Sequence, residues 1–256
     1  MGAAGAAVAR ARRVTVLTGA GVSTESGIPD FRGTSGAALV EPDLLAYLAD
    51  AAVRRASWRT RLDLPVWTAE PNPAHRALVD LERSGRLRTL LTQNVDGLHQ
   101  RAGSTAVVEL HGSLLATACL ACGERRPMAA ALDRVRAGEA DPACRTCGGV
   151  LRSATVSFGE PLDADVLRAA RTAVLDCDLL LVAGTSLLVA PAADLVGLAV
   201  RAGAAVVVCN AEPTPYDEVA AAVVRDPVGR VLPELVALPV VEPDRPVRTW
   251  GDPSTW

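Results

Sequence analysis

The chain has 256 residues, half of them hydrophobic, which suffices for the core of one large domain or of a main domain carrying a small insert. A formal charge of -3, with no long run of like charges, excludes a general electrostatic pull toward nucleic acid. All 26 basic residues are arginine, a compositional bias that gives arginine clusters little functional weight.

The first 13 residues are Ala-rich and basic, but the apolar part is short and precedes the charges, so they make a poor signal peptide. Ala6 stands where a myristoylation motif needs Ser or Thr. The next run, "RVTVL" (13–17), reads as a buried strand, as do 87–93, 106–110, 178–184 and 204–210. Between them lie helical patterns: 72–86, with Asn72 as N-cap, Pro73 in the first turn and Gly85 at the end; 163–176; and 190–203. Strands alternating with helices predict a doubly wound α/β domain whose ligands sit beyond the carboxyl ends of the strands. The long apolar stretch from Leu179 is interrupted by Gly184-Thr185-Ser186, Pro191 and Asp194, so strand, loop and helix fit it better than a membrane span. A soluble, cytoplasmic protein without membrane contact is expected. Residues 241–256 are polar and Pro-rich and read as a flexible tail.

Three polar clusters lie at strand ends. "TGAGVSTESGIPDFRG" (18–33) follows the first strand; its Gly19 and Gly21 would let backbone N–H groups approach a pyrophosphate, although a Gly-x-Gly turn alone specifies no ligand. Thr24 breaks the third glycine of the dinucleotide fingerprint, and a phosphate-binding loop ending in Lys is impossible here. "TQNVDGLHQRAG" (92–103) places Gln93, Asn94 and Asp96 where they suit an amide or a sugar, and "ELHG" (109–112) ends the next strand on His111, a residue type that serves as a general base near neutral pH. His75 and His99 read as structural. Finally, Cys119-x-x-Cys122 and Cys144-x-x-Cys147, each followed by Gly, have the spacing of two zinc knuckles; four thiolates close the tetrahedron, so the metal would be structural. A disulfide pair is the alternative, against which the absence of a secretory signal argues. Cys177 and Cys209 read as inert core residues.

With "SFGE" (157–160), "GTSLLVAPAADL" (184–195) and "CNAEPT" (209–214) in the same order, these motifs resemble the sirtuin family of NAD-dependent protein deacylases over about 13–236. The resemblance implies an α/β fold: a Rossmann-like domain with a doubly wound parallel sheet (1–112 and 153–240) and a small inserted zinc-binding domain (113–152) holding one structural zinc. It implies that Gly19, Ala20, Gly21, Glu25, Asp30, Phe31 and Arg32 meet NAD in a flexible cofactor loop, with Phe31 shielding the reacting ribose carbon. Gln93, Gly184, Thr185, Ser186, Asn210, Glu212 and Val228 would complete the cofactor site. Asn94, Asp96 and His111 would be catalytic: Asn94 ordering ribose and water, Asp96 holding the carboxamide, His111 deprotonating a ribose hydroxyl. The acyl oxygen of the substrate lysine would trap the ribose carbon as nicotinamide leaves, and water would finish the reaction, giving deacylated lysine and O-acyl-ADP-ribose.

Acyl-lysine proteins or peptides are thus the expected partners, the peptide entering as an extended strand between "SFGE" and "LLVAP". Neither direct nucleic-acid binding nor oligomerisation is expected. An ADP-ribosyltransferase and a silent NAD-sensing scaffold are the alternatives. Relatives that prefer acidic acyl groups carry a Tyr-x-x-Arg pair; here Tyr47 is followed by Asp50, and Arg54, Arg55, Arg59 and Arg61 read as a solvated helix face, so uncharged acyl groups are expected. The segment 42–70 has no clear counterpart, and "RSATVS" and "TSGAALVEPDLL" depart from the family pattern.

Overall fold

The computed structural model describes residues 2–30, 43–157 and 159–240. Its larger layer is a six-stranded sheet in the order β3-β2-β1-β7-β8-β9, with every neighbouring pair parallel. These strands are Val14–Thr18 (β1), Leu87–Thr92 (β2), Val107–Glu109 (β3), Leu179–Ala183 (β7), Ala205–Cys209 (β8) and Ala222–Val224 (β9). All residues of β1 and β7 are buried, which explains their continuous apolar character: helices cover both faces.

The two-residue period of a strand sorts the side chains between two cores. Val14, Val16, Leu179 and Leu181 point to one face, packed under helices Gly2–Arg10 (α1), Pro73–Arg83 (α4) and Val228–Val236 (α9). Leu17, Leu180 and Val182 point to the other, under Ala164–Asp176 (α7) and Asp194–Arg201 (α8). The strand order reverses between β1 and β7, the switch point at whose carboxyl ends doubly wound sheets form their ligand crevice.

The expected strands and helices are present, with ends shifted by a few residues. Asn72 caps α4 through Oδ1, which accepts from the Ala74 and His75 amides. Strand β9 and helix α1 are among the elements that the sequence pattern does not predict. Strand β9 is only three residues long. Helix α1 is built from the Ala-rich segment, in keeping with the high helix propensity of alanine; its last turn is held by buried Arg86, which donates to the Val8 and Ala11 carbonyls.

The smaller layer begins at Gly112, where φ is +74° and an added Cβ would lie 2.1 Å from the Ala154 carbonyl oxygen. Only glycine lets the chain turn there into strand Gly112–Cys119 (β4), which pairs antiparallel with Arg125–Pro127 (β5) and Leu151–Thr155 (β6). Helix Met128–Arg136 (α6) covers this sheet. Helices Leu44–Ala49 (α2) and Ala51–Leu62 (α3) come from the unassigned segment, and buried Trp58 of α3 packs with Met128, Leu132, Cys144 and Leu151. The small layer therefore draws on α3 as well as on the insert, and its strands run from 112 to 155, slightly beyond the expected 113–152. The expected tail, 241–256, lies outside the described residues.

Candidate active site

At the crevice the β1 and β7 loops interlock. A Cβ at Gly19 would fall 2.6 Å from Thr185 Cβ, one at Gly21 would fall 2.9 Å from Gly184 Cα, and one at Gly184, whose φ is +61°, would fall 2.4 Å from Val22 N. The Gly19 and Gly21 amides donate to the Ala183 and Gly184 carbonyls at 3.1 and 2.9 Å. Those two N–H groups are thus paired with the end of β7 and the residue after it, and close backbone packing is one requirement for glycine at both positions. Ala20, half-buried, opens the short 3-10 turn between them. Thr185 reaches across the crevice, its Oγ1 accepting from Gln93 Nε2 at 2.9 Å.

The loop after β2 carries the polar centre. Asn94 and Asp96 are buried, and both meet Ser23 of the first loop: Asn94 Nδ2 donates to Ser23 Oγ at 3.1 Å, and Ser23 Oγ donates to Asp96 Oδ2 at 2.7 Å. Asp96 Oδ1 accepts the Leu98 amide at 2.9 Å, which opens helix Leu98–Ala102 (α5). Burial raises the Asp96 pKa, opposed by these hydrogen bonds. Sequence reasoning missed Ser23, the buried hydroxyl that joins two of the expected catalytic residues. No periodicity marks it, because its burial comes from Asn94 and Asp96, more than seventy residues further along the chain.

His111 stands between β3 and β4. Its Nδ1 lies 3.0 Å from the Gln93 carbonyl oxygen. A carbonyl only accepts, so Nδ1 carries the proton and Nε2 is left with its lone pair, the tautomer of a general base. Burial lowers the His111 pKa, partly offset by this hydrogen bond, so the neutral form dominates at neutral pH.

Other expected contacts are less direct. Glu25 is exposed, and its Oε1 accepts the Gly229 amide at 3.0 Å, so it secures the first turn of α9. Val228 is buried in the core beneath that turn, which gives it a packing task. Asn210 and Glu212 form a loop at the end of β8, where Asn210 Nδ2 donates to the Glu212 carbonyl and Arg225 donates to both carbonyls. Asp30 and Ser186 are half-buried. Phe31, Arg32 and Phe158 lie outside the described residues.

Far along β4, the four knuckle cysteines bring their sulfurs within 4.8 Å of one another, with Cys119 to Cys147 at 3.5 Å and Cys122 to Cys144 at 3.8 Å. Four sulfurs about 2.3 Å from a tetrahedral centre stand about 3.8 Å apart, so this donor set fits one zinc ion and is too open for disulfides. Gly123 and Gly148 supply the positive φ that closes each knuckle. Cys177 and Cys209 are buried in the large core.

The sequence model of the Sir2 family matches residues 19–191. A relative from Streptomyces coelicolor, NAD-dependent protein deacetylase 2, is 52% identical over 87% of this chain and 96% of its own. Among solved structures, a Sir2 with a p53 peptide and NAD+ superposes with a TM-score of 0.80 at 34% identity, covering 90% of this chain and 94% of that one. A Sir2 bound to a propionylated peptide gives 0.80 at 33% identity over the same shares.

Proposed function

Because this chain belongs to the Sir2 family and is an NAD-dependent protein deacylase, we propose that the crevice at the β1–β7 switch point performs the reaction, with His111 as its base and Asn94 and Asp96 as its polar centre. The observation that carries this reading is the His111 Nδ1 to Gln93 carbonyl bond, which leaves Nε2 unprotonated.

The residues present fit NAD. The interlocked glycines leave the crevice mouth without side chains, and the buried Asp96 carboxylate and Asn94 amide suit a carboxamide and ribose hydroxyls. Gly19, Ala20, Gly21, Gly184, Thr185 and Ser186 would line the phosphates, Gln93 the nicotinamide-side ribose, and Asn210 and Glu212 the adenosine. When bound, NAD supplies an electrophilic ribose carbon as nicotinamide departs. Ser23 orients Asn94 and Asp96 through its hydroxyl, and His111 Nε2 would take the proton of a ribose hydroxyl. With one water consumed in releasing the amine, the products would be nicotinamide, deacylated lysine and O-acyl-ADP-ribose. The four cysteines would hold one structural zinc, which takes no part in this chemistry because four thiolates leave no ligand position open.

The acyl group is uncharged in this reading. Tyr47 Oη donates to the Leu151 carbonyl at 2.7 Å, and Arg54 pairs with Asp141 at 2.8 Å, so neither is held ready for an acidic acyl chain. Contrary to the expected solvated face, only Arg55 and Arg59 are exposed; Arg61 is buried over the Trp58 ring, with its Nε donating to Ser153 Oγ. The proposed division is a large unit, 1–112 with 153–240, and a small one, 113–152, with α3 supporting the small unit and the ends of β4 and β6 reaching across the boundary. We also assign a monomer acting in the cytoplasm on acyl-lysine proteins, with no nucleic-acid partner, the reduced cysteine cluster suiting that compartment.

The test is incubation with NAD and one peptide bearing acetyl, butyryl, myristoyl or succinyl lysine, with products identified by mass. O-acetyl-ADP-ribose with acetyl preferred over succinyl is expected. Nicotinamide release with no acyl loss would instead indicate an ADP-ribosyltransferase.

A further inference from the structure

Beneath the polar centre lies a buried chain of hydrogen bonds. His99 is 1% exposed, and its Nε2 lies 2.9 Å from Thr18 Oγ1. Thr18 Oγ1 donates to Thr92 Oγ1 at 2.9 Å, the two residues being register partners at the ends of β1 and β2. With the Thr18 proton committed to Thr92, His99 Nε2 is the donor to Thr18. Thr92 Oγ1 also accepts the Asn94 amide at 3.0 Å.

The Asn94 amide and the Gln93 carbonyl belong to one peptide unit, and that unit is rigid and planar. Its N–H is held by Thr92, and its C=O receives His111 Nδ1. Turning this plane would move the acceptor that orients the base and would shift Asn94 with it. A second ring stands behind the first: His75, fully buried, has its centroid 4.8 Å from that of His99, and its Nδ1 accepts the Asn72 amide. His75 Nε2 and His99 Nδ1 have no partner among the described residues, and burial keeps both rings neutral, with pKa values lowered to about 4 and about 3. The donor pattern of the chain is thus constant at neutral pH.

We propose that His99, Thr18 and Thr92 are positioning residues of the deacylation reaction, fixing the Gln93–Asn94 peptide plane and through it the imidazole of His111. This rests on the proposed role of His111. Thr18→Val keeps the shape of the side chain and removes the hydroxyl, Thr18→Ser keeps the hydroxyl, and His99→Phe removes the donor. We expect Thr18→Val and His99→Phe to lower kcat by about ten- to a hundredfold, with KM for the acetylated peptide within about twofold and Thr18→Ser close to the parent.

Losses in Thr18→Val and His99→Phe that are far from additive in the double variant would mark one chain. Independently of turnover, exchange of the Asn94 amide with deuterium, followed by NMR, should accelerate about tenfold in Thr18→Val at unchanged global stability. Parent-like kcat and amide exchange in a folded Thr18→Val protein would overturn the proposal, as would an equal loss in Thr18→Ser. Should His99→Phe fail to fold, the Thr18 pair decides alone. An inactive parent, or an active His111→Ala, would remove the underlying reading, while the amide exchange would still report on the chain itself.

Discussion

His111 and Ser23 carry the two most direct consequences at the residue scale. A neutral imidazole is the working form, and burial lowers its pKa, so the acid limb of the kcat/KM profile should fall below the ordinary histidine value of about 6.5. His111→Ala should lose roughly a hundred- to ten-thousandfold in deacylation while NAD binding persists, measured by turnover and by calorimetry. A limb at or above the ordinary value, or near-normal turnover, would take the base assignment away from His111. Ser23→Ala strips a partner from both Asn94 and Asp96, each buried. Leaving such groups unpaired costs about 1–3 kcal/mol, so kcat/KM for NAD should fall about tenfold or more, and the Asp96 pKa should rise further because one hydrogen bond to its charged form is gone. Unchanged kinetics would show that Ser23 merely fills space.

Among the elements, the interlocked loops and the cysteine knuckles make separate demands. Gly184→Ala would force a methyl to within 2.4 Å of a backbone nitrogen at a φ of +61°, and neither loop can yield without moving β1 from β7. A cost of about 1–3 kcal/mol or more follows, read as a lowered Tm and weakened NAD binding together. Zinc should be found at one equivalent per chain, and Cys144→Ala should loosen the cluster that ties α3 to α6, lowering activity indirectly. Active protein without zinc would refute this.

The same elements explain what the sequence could disclose. Buried parallel strands are readable because both faces are apolar, and the site motifs because they sit at strand ends. Cys-x-x-Cys is readable because metal geometry dictates spacing. Ser23 was not, because one hydroxyl in a polar loop has no period, and its burial depends on Asn94 and Asp96 arriving from 71 and 73 residues away. Arg61 was misread because its surroundings come from β6 and the Trp58 ring, contacts that helical periodicity does not encode. The tie from Glu25 to Gly229 is equally invisible in the sequence, because it spans 204 residues.

For the whole molecule, the buried histidines couple stability to pH. His75 and His99 are neutral when folded, with pKa values of about 4 and about 3, whereas the unfolded chain titrates them near 6.5. Between those limits the unfolded state binds more protons, so stability is full above about pH 7 and is lost progressively as pH falls toward 4. Each histidine should withdraw on the order of 1–2 kcal/mol between pH 7 and pH 5. Asp96 and Glu109, whose pKa values burial raises, act in the opposite sense and recover part of this as they protonate. Carboxylates with lowered values, such as Glu160 and Asp217, contribute mainly below the ordinary carboxylate range, outside the histidine window. Thermal unfolding of the parent should therefore drop by about 5–10 °C from pH 7 to pH 5, and a His75→Leu, His99→Leu double variant, whatever its absolute Tm, should show a much flatter profile. An equal slope in the two proteins would mean that the histidine pair does not stay neutral in the fold.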